Sequence, residues 1–68
     1  MEEVIEAFLR REPAETKACF TDGDVLMCEG NHVAHWDGYK VYIDKRDTPY
    51  RKALYELMPN SGITFRQL

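Results

Sequence analysis

No stretch of this 68-residue sequence approaches the roughly 20 consecutive apolar residues that a membrane-spanning helix requires. Cysteine occurs only at Cys19 and Cys28, too few for a framework of several disulfides. The chain also lacks internal repeats, low-complexity runs and linkers. Because 44% of its residues are hydrophobic, the composition predicts a folded chain rather than a disordered one, and the length allows one domain covering residues 1–68.

The chain begins with two acidic residues after the initial methionine, Glu2 and Glu3. The apolar stretch that follows them stops at Leu9. A secretory signal peptide begins with basic residues and continues with a longer apolar segment. The sequence therefore predicts no signal peptide and a cytoplasmic protein.

Charge is distributed unevenly along the chain. Residues 1–38 carry nine acidic and three basic residues, whereas residues 39–68 carry six basic and three acidic residues. A net charge of −3 does not favour nucleic acid as the default partner, because that affinity depends on neutralising phosphates. The acidic half favours a basic surface on another protein, although solvated helix and turn residues would give the same pattern.

Three glycine-containing pairs divide the centre of the chain into short segments typical of β-hairpins, and their tight turns need positive φ, which is expected at Gly23, Asn31 and Gly38. The pairs are Asp22-Gly23, Gly30-Asn31 and Asp37-Gly38, and the predicted strands cover 16–21, 24–29, 32–36 and 39–44. An amphipathic helix is predicted over 2–11, and a second from Thr48 as N-cap to about Met58, ended by Pro59. The alternating segment 63–66 predicts a fifth strand, placed beside the first strand in preference to the fourth.

The resulting order, α-ββββ-α-β, predicts a single two-layer α+β domain: an antiparallel four-stranded meander plus a C-terminal fifth strand, with both helices on one sheet face. Two-residue hairpin loops predict that the helices cover Ala18, Phe20, Val25, Met27, Ala34, Trp36, Tyr39, Val41 and Ile43. The opposite, open face then presents Lys17, Cys19, Leu26, Cys28, Val33, His35, Lys40 and Tyr42. Since contiguous apolar patches tend to be interfaces, this face predicts partner binding or self-association, unless the sheet curls or a helix covers part of it.

The residues capable of chemistry do not form a recognisable site. In the predicted register Cys19 and Cys28 are diagonal neighbours, roughly 7–8 Å apart and too far for a disulfide, so free thiols are expected. Their spacing to His35 matches no zinc module. A Cys28–His35 pair would still need a cleft, an oxyanion donor and an orienting group. We therefore predict no catalytic residue, metal or cofactor.

The segment Gly30-Asn31-His32-Val33-Ala34, followed by the aromatic hairpin 36–43, resembles small phage-encoded proteins with a Gly-x-x-[Ile/Val]-Ala strand. In size and acidity the chain is also similar to anti-CRISPR and other counter-defence proteins. This resemblance implies a non-enzymatic inhibitor in the host cytoplasm that occludes a host protein or ribonucleoprotein complex. Two predicted surfaces could make the contact: a phosphate-mimicking acidic set, Glu2, Glu3, Glu6, Asp22, Asp24, Glu29 and Asp37, or the open-face set, Leu26, Val33, His35 and Tyr42.

Two other functions remain open at this point. The basic C-terminal half could bind nucleic acid, with Arg46, Arg51, Lys52 and Lys45 contacting phosphate at the start of the second helix. Alternatively, the open sheet face could join two copies of the chain in a homodimer or larger structural oligomer.

Overall fold

The computed structural model describes residues 2–46, 48–61 and 64–67, with side chains described as far as Met58. Its elements are α1 (Glu2–Leu9), β1 (Ala14–Glu15), β2 (Cys19–Thr21), β3 (Val25–Cys28), β4 (Asn31–Asp37), β5 (Lys40–Ile43), α2 (Pro49–Ser61) and β6 (Thr64–Gln67). The predicted α+β class is confirmed. The short strand β1 is an addition, because the first predicted strand began at residue 16.

The strands form one sheet in the order β1-β2-β3-β4-β5-β6. Neighbouring strands are antiparallel from β1 to β5, whereas β6 runs parallel to β5. The predicted position of the last strand beside the first predicted strand is therefore wrong. Parallel neighbours need a crossover long enough to return the chain to the same end of the sheet, and α2 supplies it.

Both helices begin as their sequences predict, but their ends differ from the prediction. α1 stops at Leu9, and Arg11 adopts a left-handed conformation with φ 60°. At α2, the Thr48 hydroxyl accepts the backbone N–H of Arg51 at 3.2 Å, which is the expected N-cap. This helix continues to Ser61, so Pro59 lies within its last turn instead of ending it. The predicted loop and strand residues Asp47, Gly62 and Ile63 lie outside the described residues.

The three glycine pairs do mark turns, but each turn is displaced from its predicted position. Four residues, 22–25, separate the innermost β2–β3 pair, Thr21 and Leu26, because the Asp22 carboxylate accepts the N–H groups of Asp24 and Val25 at 2.9 and 3.1 Å. The next turn is centred on Glu29 and Gly30, with φ 54° and 77°. The last is centred on Gly38 and Tyr39, and the expected positive φ of Gly23 and Gly38 is confirmed at 103° and 62°.

A β-bulge in β4 determines which side chains share a face. Leu26 pairs with Ala34 but the adjacent Met27 pairs with His32, so Val33 is an extra residue in β4. One extra residue reverses the alternation between faces, so the predicted assignment holds for β5 and for β4 from Ala34 onward but is inverted for β2, β3 and Val33. Leu26 and Val33, predicted on the open face, are 0% and 5% exposed.

The helices and the inner sheet face enclose the hydrophobic core. We define the inner sheet face as Cys19, Thr21, Leu26, Cys28, Val33, Ala34, Trp36, Val41 and Ile43. α1 contributes Val4, Ile5 and Phe8, and α2 contributes Leu54 and Met58. Since side chains from both helices join one cluster over this face, the prediction that both helices lie on one side is also confirmed.

Cys19 and Cys28 form a disulfide at the edge of this core, with their Cα atoms 4.1 Å apart. The predicted diagonal arrangement is wrong because the longer β2–β3 loop places the two cysteines directly opposite each other. Both are 2% exposed. The expectation of two free thiols is therefore also wrong.

Candidate partner-binding surface

The outer sheet face carries apolar and aromatic side chains that neither helix covers. We define it as Phe20, Val25, Met27, His32, His35 and Tyr42, which the strand register places on the side opposite the core. Phe20 is 45% exposed, and the other five are partly exposed. An exposed aromatic surrounded by partly exposed apolar side chains is typical of the centre of a protein–protein interface.

The bulge brings His32 and His35 together on this face. Two residues three apart in a regular strand point to opposite sides, but the extra residue Val33 restores them to the same side. His32 Nε2 lies 3.0 Å from His35 Nδ1, so one nitrogen donates a proton and the other accepts it. His35 in turn stacks on Tyr42, with ring centroids 5.5 Å apart and an interplanar angle of 15°.

Asp44 lies beside His32, on the side of the ring that faces away from His35. Its Oδ2 lies 3.7 Å from His32 Nδ1, while its Oδ1 accepts the backbone N–H of Arg46 at 2.9 Å. That backbone hydrogen bond is the main reason that the pKa of Asp44 is lowered, and the charge of Arg46 and contact with His32 lower it further. Asp44 is therefore a carboxylate that the Arg46 backbone holds beside the His32 ring.

The predicted acidic set does not form one surface. Successive turns of a meander lie at alternate ends of the sheet, so Asp22, Asp24 and Asp37 lie at one end and Glu29 lies at the other. The α1 residues Glu2, Glu3 and Glu6 are exposed, but α1 packs on the inner sheet face, so they lie in the helical layer, away from the outer sheet face.

Two aspartates at the first end already have partners within the protein. Asp24 Oδ1 pairs with Arg11 Nη2 at 3.0 Å, and the same guanidinium donates to the Gly38 carbonyl and lies 5.0 Å from the Trp36 ring centroid. Asp22 accepts the two loop N–H groups, which lower its pKa. Of the three, Asp37 has the least constrained carboxylate in the described structure.

Two further carboxylates border the outer sheet face. Glu15 pairs with Phe20 across β1 and β2, and Asp37 follows His35 by two positions in β4. Both are exposed. Asp37 was predicted as a partner-binding residue, whereas Glu15 was not.

Sequence reasoning placed part of the open-face set correctly and missed other members. His35 and Tyr42 lie on the outer sheet face as predicted, whereas Leu26 and Val33 belong to the core. Phe20, Val25 and Met27 were assigned to the core, and His32 to neither set. The two cysteines were a usable signal, because placing them opposite each other would have exposed the error in the β2–β3 register.

The described part of the chain contains no group of three or more His, Cys, Asp or Glu side chains arranged to hold a metal ion. Nor does it include a helix long and apolar enough to cross a membrane. No protein-family model, curated protein or solved structure matches this chain. The resemblance to small phage-encoded and counter-defence proteins therefore stays a prediction.

Proposed function

We propose that this protein is a small, non-enzymatic inhibitor that binds a basic surface of another protein through its outer sheet face. The observation that carries the proposal is the uncovered patch around Phe20, which is 45% exposed on the side opposite both helices. Methionine, phenylalanine and tyrosine are enriched in the buried centres of protein interfaces, and the patch contains one of each.

Charge supports the choice of a basic partner. Glu15 and Asp37 border the patch, and residues 1–38 carry the acidic excess of the chain. Carboxylates around an apolar centre accelerate association with a basic partner and disfavour acidic ones. In the phage-type form of the proposal, the partner is a host protein or ribonucleoprotein complex whose nucleic-acid-binding surface becomes occluded.

The experiment compares two exposed aromatics. Phe20→Ser removes the centre of the patch, whereas Tyr39→Ser removes a 94% exposed aromatic from the β4–β5 turn. Partners captured by the unmodified protein from a host lysate are identified, purified and titrated with both variants. We expect Phe20→Ser to weaken binding by about tenfold or more and Tyr39→Ser to leave it nearly unchanged.

Three outcomes would contradict the proposal. If both variants lost affinity equally, or if neither lost affinity, the outer sheet face would not be the contact surface. Tight binding of the unmodified protein to bare DNA or RNA at physiological salt would favour the nucleic-acid binder. Sedimentation showing self-association that Phe20→Ser abolishes would instead favour the homo-oligomer.

A further inference from the structure

A small cleft, which shares His32 with the outer sheet face, lies between the β3–β4 turn, the chain after β5 and the beginning of α2. Its volume is about 50 Å³, and its polar lining includes Asn31, His32, Asp44, Arg46, Thr48 and Arg51. A cavity volume of about 10–15 Å³ measured in this way holds one water molecule, so the cleft has room for one group of a few atoms. We call it the arginine cleft.

The two arginines of this cleft differ from the two in the N-terminal part of the chain. Arg10 pairs with Glu12 at 2.8 Å and Arg11 pairs with Asp24 at 3.0 Å. Within residues 2–46 and 48–58, no carboxylate forms an ion pair with Arg46 or Arg51. In the described part of the cleft neither guanidinium forms an ion pair, although the charge of Arg46 acts on the nearby Asp44.

The hydrogen bonds of these arginines leave donors unused. Arg46 Nη1 donates to Asn31 Oδ1 at 3.3 Å. Arg51 Nη2 donates to the Tyr55 hydroxyl at 3.4 Å, and its guanidinium lies 5.0 Å from the centroid of that ring. Arg51 Nε is buried and has no hydrogen-bond partner among the described residues. A buried N–H without an acceptor is costly, so an acceptor that enters the cleft and reaches this atom would be stabilised.

The carboxylates that line the cleft are engaged elsewhere. Asp44 accepts the backbone N–H of Arg46 and contacts His32. Burial is the main cause that raises the pKa of Tyr50, and the charge of Glu29 and its hydrogen bond to Tyr50 raise that pKa further. Glu29 is therefore engaged with Tyr50. Neither acid neutralises an arginine directly, so an anion entering the cleft would meet donors from Arg46 and Arg51.

We propose that the arginine cleft binds a single phosphate group. Guanidinium groups present several N–H donors in a plane and suit phosphate oxygens, and the volume fits one such group. The stacking of Arg51 on Tyr55 fixes its guanidinium before the anion arrives. This site does not depend on the outer sheet face, so it and the proposed partner contact can fail separately.

Inorganic phosphate is the first probe, titrated at constant ionic strength against chloride while backbone NMR shifts are followed. We expect saturable shifts at Asn31, Arg46 and Arg51. Arg46→Gln and Arg51→Gln should each weaken binding by about tenfold or more, because each removes charged donors. Lys45→Gln is the matched control: it removes the same charge from an exposed neighbour outside the cleft lining and should bind nearly as well as the unmodified protein.

A second titration uses phenyl phosphate, a phosphate monoester. Saturable binding of both probes would assign the cleft to phosphate groups carried by larger molecules, whereas binding of inorganic phosphate alone would assign it to the free ion. Arg51→Gln also removes the stacking on Tyr55 and could unfold the protein for that reason. In that case Arg46→Gln alone provides the test. Absence of saturable shifts, or equal weakening by Lys45→Gln, would overturn the proposal.

Discussion

The inner and outer faces of the sheet are built from the same strands, and both contain large apolar side chains. Leu26 on the inner face is fully buried, whereas its chain neighbour Met27 on the outer face is partly exposed, and Phe20 is 45% exposed. Hydrophobicity alone therefore does not decide which face the helices cover. The strand register decides it, and in this molecule the register depends on one bulge and one side-chain-capped loop.

The difference in burial between the two faces can be tested by truncating Leu26 and Met27 in separate variants. Leu26→Ala should lower the free energy of unfolding by about 2–5 kcal/mol, because it leaves a cavity among α1 and sheet residues. Met27→Ala should cost less than about 1 kcal/mol, since its side chain already contacts solvent. Urea denaturation of both variants measures the difference. Equal costs, or a larger cost at Met27, would show that the assignment of faces is inverted.

A smaller effect is expected at the glycines that set the turns. A Cβ on Gly23 would lie 2.9 Å from the Arg11 carbonyl oxygen, and its φ is 103°. Gly38 has φ 62° and open space around the same position. Gly23→Ala should therefore cost about 2 kcal/mol or more, whereas Gly38→Ala should cost about 1 kcal/mol from backbone strain alone. The denaturation midpoints of both variants test this expectation. A larger loss of stability in Gly38→Ala than in Gly23→Ala would contradict it.

The smallest effect concerns the carboxylate that shapes the β2–β3 loop. Hydrogen bonds from the Asp24 and Val25 amides lower the pKa of Asp22 below its ordinary 3.8. The stability they provide is fully present above that value and is lost as the pH falls through the lower pKa of the folded state. Asp22→Asn should be less stable than the unmodified protein at pH 7, and the difference should disappear in acid. Thermal unfolding between pH 7 and pH 2 tests this, and a constant difference would contradict it.

The sequence allowed the helices, the number of central strands and the α+β class to be predicted, because each depends on local periodicity and turn residues. It did not reveal the bulge at Val33, since nothing in the alternation of β4 distinguishes an extra residue from a regular one. Glu29 also takes a positive φ that was expected of Asn31. Side-chain control of the β2–β3 loop by Asp22 extended the assumed two-residue turn to four residues.

For the candidate surface, the same errors decided the outcome. His35 and Tyr42 were placed correctly because they lie beyond the bulge, in the part of the sheet where the predicted faces hold. Phe20 and Met27 lie before the bulge and were predicted on the inner face. Leu26 and the two cysteines, which do lie on the inner face, were predicted on the outer one. The arginine cleft was partly foreseeable: Arg46 and Arg51 were expected at the start of the second helix, but the cleft also needs the β3–β4 turn, which only the folded chain brings near.

The Cys19–Cys28 disulfide makes the β2–β3 hairpin a closed covalent ring, because the two cysteines are nine positions apart and the whole loop lies between them. Hydrolysis of any single peptide bond inside this ring adds one water molecule but releases no fragment. A molecule cut at the exposed Asp22 or Asp24 would remain one species under non-reducing conditions and separate into two chains only after reduction. The hairpin is therefore a position where new chain ends can be introduced without dividing the molecule.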